Sequence, residues 1–231
     1  LLTDIWGNPP SDIDTRTWGM LFPKDGSPLA DSSYAINITY SEEGYIDDQD
    51  AKDLDYDELL NVMQSDILEA NQYRIEQGYG SLRLVGWASQ PFYDEENKKL
   101  YWAKELNFDN AMTNTLNYNI RILGRRGFLE LNAIGDMSQL ARIQADIDPI
   151  ISSVNFNEGH KYANFDPALD KVAAYGIGGL IAGKVLLKAG LFAKAGILFA
   201  KFWKVLALGA VALFAGFKKF FGSKKKEVDP N

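Results

Sequence analysis

In LNYNIRIL, residues 116–123, Leu116, Tyr118, Ile120 and Ile122 alternate with Asn117, Asn119 and Arg121. A period of two marks a strand with one apolar, buried face and one polar face. SLRLVGWA (81–88), KLYWAKEL (99–106) and GFLELNAI (127–134) are strand-like runs around it. Gly124, Arg125, Arg126 and Gly127 form a compact hairpin turn, and Asp94 to Asn97 lies in another. Nearer the start, TWGMLFP (17–23) and YAINITY (34–40) read as strands joined by a polar loop. Between these groups Leu59, Met63, Ile67 and Ala70 recur at helical intervals, behind Asp55 and Glu58 at capping-box spacing. They predict a helix from Tyr56 to Gln77, stopped by Gly78. A second helix spans Met137 to Ser152, capped by Asp136 and bent or ended by Pro149. Strands succeed one another between helices rather than alternating with them. The class is therefore α+β, a mostly antiparallel sheet packed with helices.

From Val172 to Phe217 the periodicity changes, and almost everything except lysine is apolar. One straight helix of that length would run about 69 Å, against roughly 30 Å of hydrocarbon in a bilayer. The segment therefore breaks, or part of it lies along the surface. On a helical wheel Lys184, Lys188, Lys194, Lys201 and Lys204 spread over about 200°. Val185, Ala189, Phe192, Gly196, Phe199, Trp203, Ala207 and Ala210 fall in a stripe on the other side. The lysines fit three arrangements. They meet headgroups on an in-plane helix, line a hydrated cavity between copies, or cover a helix packed on the soluble domain. Phe202 to Phe221 is the best spanning stretch, with an uncharged centre and aromatic ends. Gly179 and Gly183 permit close helix contacts and favour self-association. This divides the chain into residues 1–171, an acidic α+β domain, residues 172–221, α-helical and membrane-associated, and residues 222–231, a basic tail.

Charge sharpens that division. Residues 1–171 carry 14 Lys and Arg against 29 Asp and Glu, and residues 172–231 carry 10 against 2, so the nets are −15 and +8. An acidic domain excludes phosphate-backbone binding, hence nucleic acid. A basic apolar tail suits anionic lipid, and its lysines place the C-terminus in the cytoplasm with the domain on the far side. Cysteine is absent, so there is no disulfide or thiolate chemistry. A chain that begins at Leu1 reads as processed or shortened.

Candidate chemistry is sparse. Gly178 to Lys184, GGLIAGK, has most of a phosphate loop, but Val185 stands where its Ser or Thr belongs. Asp47, Asp48, Asp50, Asp53, Asp55 and Asp57 suggest calcium. An EF-hand begun at Asp48 would put Leu59 at the position of the bidentate Glu, so the run reads as a solvated capping loop. His160 is the single histidine, which rules out a two-histidine metal site within one chain. Carboxylates such as Asp94, Glu96 and Glu105 leave acid/base catalysis as a minor alternative. No catalytic, cofactor-binding or metal-binding residue is assigned, and no cofactor is expected. The candidate binding surface is Asn117, Asn119, Arg121, Arg125 and Arg126, whose arginines suit an anion or a partner carboxylate.

GYIDDQDAKDLDYDELL (44–60), ANQYRIEQGYGSLRLVGWASQPFYDEENKKLYWAKEL (70–106), LNYNIRILGRRG (116–127) and YANFDPALDKVAAYGIGGLIAGK (162–184) together resemble the bacterial family called domain of unknown function 2167. The likeness runs from about Ile5 into the lysine-bearing tail. It implies a secreted precursor, an extracytoplasmic domain and a C-terminal membrane segment. It supplies no activity, ligand or catalytic residue. Its motif positions include Gly44, Asp48, Gly86, Trp87, Tyr93, Trp102, Asn117, Tyr118, Arg121, Gly124, Arg125, Arg126 and Gly127, all of which also suit a purely structural role. The expectation is a non-enzymatic protein of the bacterial inner membrane, a binding or scaffold domain tethered, and oligomerised, through its C-terminal helices. Its partners would be membrane lipids, further copies of itself and an unidentified protein. The alternative is an anion-favouring oligomeric pore lined by the lysines.

Overall fold

The computed structural model describes residues 17–24, 26, 27 and 33–183. The elements run β1 (Thr17–Leu21), β2 (Ala35–Ser41), β3 (Tyr45–Asp47), α1 (Tyr56–Glu76), β4 (Leu82–Asp94), β5 (Lys99–Phe108), β6 (Thr115–Leu123), β7 (Phe128–Asp136), α2 (Leu140–Ser152), β8 (Val172–Gly176) and α3 (Ile177–Ala182). Six strands form one antiparallel sheet in the order β1-β2-β7-β6-β5-β4. β3 and β8 pair in parallel as a separate ribbon. The domain is α+β with a mostly antiparallel sheet, as the strand runs indicate.

One sheet face is the apolar core. Ile36, Ala103, Leu116, Tyr118, Ile120, Leu131 and Ala133 meet Ile143, Ile147 and Ile151 of α2. Steps of four put those isoleucines on one helical stripe, and burying each contributes about 1.5–3 kcal/mol. The Asp136 carboxylate accepts the Ser138 amide at 2.8 Å, turning the chain from β7 towards α2. Pro149 lies inside α2, which ends three residues later at Ser152.

The first helix obeys its sequence signals closely. The Asp55 carboxylate accepts the amides of Asp57 and Glu58, both at 3.0 Å. Gln77 is the C-cap, and Gly78 adopts φ +82°, a left-handed conformation that costs glycine nothing. α1 also closes an edge. β4 is an outer strand and carries Pro91, which an outer strand tolerates. The Asn71 side chain donates to the Leu82 carbonyl and accepts the Leu82 amide, at 2.9 and 2.8 Å, while Gln64 Nε2 donates to the carbonyls of Leu84 and Val85. Side-chain amides thus satisfy edge groups that would otherwise pair with another strand.

The other sheet face is roofed, and here the structure departs from expectation. Alternation in β6 predicts a face open to solvent, yet Asn119 and Arg121 are only 3% and 8% exposed. The roof comes from α1, β3, the 3₁₀ turn Gln49–Asp53, β8 and α3. Trp87 Nε1 donates to the Tyr56 carbonyl at 3.1 Å. Tyr93 and Lys98 both donate to the Asp48 carboxylate, at 2.6 and 2.7 Å, and Tyr162 donates to the Ile46 carbonyl at 2.8 Å. Burial pushes the Asp48 carboxyl up, but the hydrogen bonds from Lys98 and Tyr93 outweigh it and hold the group below its ordinary range.

β8 and α3 arise from the start of the stretch that reads as membrane-associated. Both belong to one compact unit with the other described residues. Ile177, Leu180 and Ile181 are buried. The Asp50 carboxylate accepts the amides of Ile177 and Gly178, at 2.9 and 3.1 Å, so the amides a phosphate loop would offer are taken by the chain's own acid. Gly179 lies buried in α3, and Gly183 is its left-handed C-cap at φ +70°. Asp50→Ala is expected to cost about 1 kcal/mol, the usual value of an N-cap. A urea midpoint shift without a change in slope checks this.

Among the described residues no helix is long and apolar enough to cross a membrane. Lys184, Lys188, Phe192, Lys194, Phe199, Lys201, Trp203 and Lys204 lie outside the described residues, as does the rest of the lysine-bearing segment.

Candidate functional site

The roofed face is built in cross-strand rows, because residues directly opposite in an antiparallel pair share a face. One row runs Asn37, Asn132, Asn119 and Trp102 through β2, β7, β6 and β5. The next holds Thr39, Glu130 and Arg121. On the other flank Asn117 faces Lys104 of β5. Polar groups in three successive rows of an enclosed sheet face are costly unless each finds a partner.

Some do. Asn119 Nδ2 donates to the Asn117 side-chain oxygen at 2.8 Å, and Asn117 Nδ2 donates to the Asn132 side-chain oxygen at 2.8 Å. These bonds fix the amides as a relay. Arg121 Nη2 lies 2.8 Å from the Glu130 carboxylate, and Nη1 donates to the Ile120 carbonyl at 3.2 Å. The guanidinium stands 4.9 Å from the Trp102 ring centre and 5.6 Å from that of Phe128, a cation–π arrangement. Burial pulls the Arg121 pKa down, and the Glu130 carboxylate and Tyr175 of β8 oppose that.

Others do not. Trp102 Nε1, Arg121 Nε and the side-chain oxygen of Asn37 are buried without a hydrogen-bond partner among the described residues. Lys104 is half-buried, and its ammonium makes no hydrogen bond or ion pair with any described residue. Burial first, then the Arg121 charge, draws its pKa down to about 8, against a weaker opposing pull from Glu130. A lysine near pH 8 is charged at neutrality and readily discharged, a property that accompanies function more often than structure. Among the described residues no group of acids and histidines is arranged to hold a metal ion.

The five residues of the expected binding surface therefore divide. Asn117, Asn119 and Arg121 share the roofed face. Arg125 turns away in the β6–β7 turn, where Nε donates to the Asp170 carboxylate at 2.6 Å and Nη1 to the Gly159 carbonyl at 3.2 Å. Arg126 lies on the α2 side, 3.8 Å from Glu42, by a shallow cleft with Trp18, Tyr40, Phe156 and His160. Asp94 and Glu105 do not meet. Asp94 accepts the Asn97 amide in the β4–β5 turn at 3.0 Å, whereas Glu105 accepts Asn114 Nδ2 near the far end of β5. Lys104, Trp102, Glu130, Asn132 and Asn37 are the additional members of the face. The sequence signal for them is polar alternation, and it needs the strand register to be read.

Fold and site together define an α+β domain with an enclosed polar sheet face whose hydrogen-bonding capacity is partly unspent. The chain belongs to the family described as "Protein of unknown function (DUF2167)", whose model matches residues 1–212. Among solved structures it is similar to the crystal structure of PA94, a protein of unknown function from Pseudomonas aeruginosa. The two share 8% identity, with 64% of this chain and 89% of that chain covered and a TM-score of 0.34. No curated protein matches.

Proposed function

We propose that this chain is a non-enzymatic envelope protein of the bacterial inner membrane, whose α+β domain binds a ligand on its polar sheet face. The domain faces the periplasm, and the lysine-bearing apolar segment anchors it and brings copies together. The C-terminus lies in the cytoplasm. One observation carries the binding reading: among the described residues an indole N–H and a guanidinium N–H are buried on one face without acceptors, beside a half-buried lysine that has no hydrogen-bond or ion-pair partner. Such groups destabilise a fold that does not use them. The split of net charge between −15 and +8 supports the orientation.

Two measurements test this on the full-length chain in cells. Protease added to spheroplasts is expected to remove the domain and spare a C-terminal tag. Recovery of the chain in the soluble fraction overturns the anchor, and loss of the tag overturns the orientation. A photo-crosslinking amino acid at Asn117 is expected to capture a ligand that the same probe at exposed Leu68 does not. Equal labelling at both positions overturns the assignment of this face.

A further inference from the structure

We infer that the ligand of this face presents a carboxylate, which Lys104 neutralises and the free N–H groups of Trp102 and Arg121 flank. The inference rests on the binding face proposed above and names the chemical class of its occupant.

Donor and acceptor supply point the same way. Lys104 and Trp102 stand two apart on β5 and so project from the same face. Arg121 joins them, its guanidinium over the Trp102 ring and its Nε–H unspent. Two buried N–H groups without an acceptor, beside a lysine without a partner, call for an acceptor-only group, which an ionised carboxylate is and an amide, alcohol or ammonium is not. Trp102 and Arg121 are both more than nine-tenths buried, so their N–H groups lie where such a bond is worth most.

Charge selects between oxyanions. In the polar rows of the sheet Arg121 and Glu130 pair at 2.8 Å, and Lys104 is the cation left without a partner. A carboxylate neutralises that one cation, the favoured state where water is largely excluded. A phosphate dianion would leave an unbalanced negative charge beside Glu130. The Asn119–Asn117–Asn132 relay and the free Asn37 oxygen lie along the same face and suit polar groups on the rest of the ligand.

The test uses the full chain in mild detergent with ¹⁵N-labelled tryptophan indoles. There are five tryptophans, and Trp102→Phe assigns the resonance that matters. At pH 7 sodium acetate, against chloride at matched ionic strength, is expected to move the Trp102 signal saturably. The shift should vanish in Lys104→Met and fade by pH 10, where Lys104 is neutral. The charged groups acting on Lys104 are Arg121 on β6, which pulls its pKa down, and Glu130 on β7, which pulls it up. A response that survives Lys104→Met, or no saturable response, overturns the carboxylate assignment. Tighter saturation by inorganic phosphate than by acetate overturns the charge argument. Silence towards acetate with a neutral adduct captured at Asn117 removes this inference and leaves the binding face standing. Silence in both removes both.

Discussion

Lys104→Met is expected to fold more stably than the parent chain at pH 7, by about 2–3 kcal/mol. That is the cost of keeping a lysine charged where its pKa is about 8 instead of its unfolded value near 10.4. Proton counts give the sign. Between pH 8 and 10.4 the unfolded chain holds more protons at this position than the folded one, so parent stability rises with pH across that window. Methionine has no such proton. The gap between variant and parent should therefore be full below pH 8 and close towards pH 10. Urea midpoints at pH 7, 8, 9 and 10 measure it. The melting temperature at pH 7 should rise by roughly 4–10 °C for a chain of this size. A gain of this size accords with a functional lysine, and the acetate response of Trp102 is the measurement that separates a role from a mere stability defect.

Glu130→Gln should act in the opposite direction and about as strongly. The Arg121 side chain is 10% exposed and leans on Glu130 at 2.8 Å. Neutralising the acid leaves a buried guanidinium with one carbonyl partner and a second cation nearby. Breaking buried pairs this way typically costs 3–5 kcal/mol, and with Glu130 itself 24% exposed the expected loss is about 2–4 kcal/mol. Arg121→Met should cost less, since a half-covered carboxylate reaches solvent more easily than the arginine does. The two substitutions should also move Lys104 in opposite directions. Glu130 raises its pKa and Arg121 lowers it, so Glu130→Gln shifts the titration below 8 and Arg121→Met above it. A double variant costing less than the sum of its parts confirms that the pair, and not each residue alone, sets the energy.

What the sequence discloses tracks how local each signal is. The Asp55 cap acts on amides two and three positions away, and its spacing is readable directly. β6 announces itself by strict alternation from Leu116 to Ile122. Asp48 and Asp50 sit in the same acidic run, but their partners Lys98 and Ile177 are 50 and 127 positions off. No window along the chain contains both ends of such a bond. Lys104 is hidden for a related reason. In KLYWAKEL both strand faces mix polar and apolar residues, and only its pairing with Asn117 places it in the polar rows. β3 is three residues long, too short for a period to show. β8 opens an apolar run, so VAAYG merges into the apolar residues that come after it. Both are the roof strands, and without them the face beneath reads as solvent-exposed.

Making this roof from Tyr45 and Val172 together has a kinetic corollary. β3 and β8 lie on either side of β4 to β7 in the chain, and closing a loop of that length costs on the order of 4 kcal/mol of chain entropy beforehand. The nascent sheet can settle its α2 side while Arg121, Trp102 and Lys104 still stand in water, well hydrated. Their dehydration belongs to the last step, when Tyr175 and α3 arrive and Asp50 receives the helix. High contact order of this kind slows folding. The expected trace is a fast phase in which tyrosine and isoleucine packing on the α2 side appears, then a slower one in which Trp102 fluorescence changes.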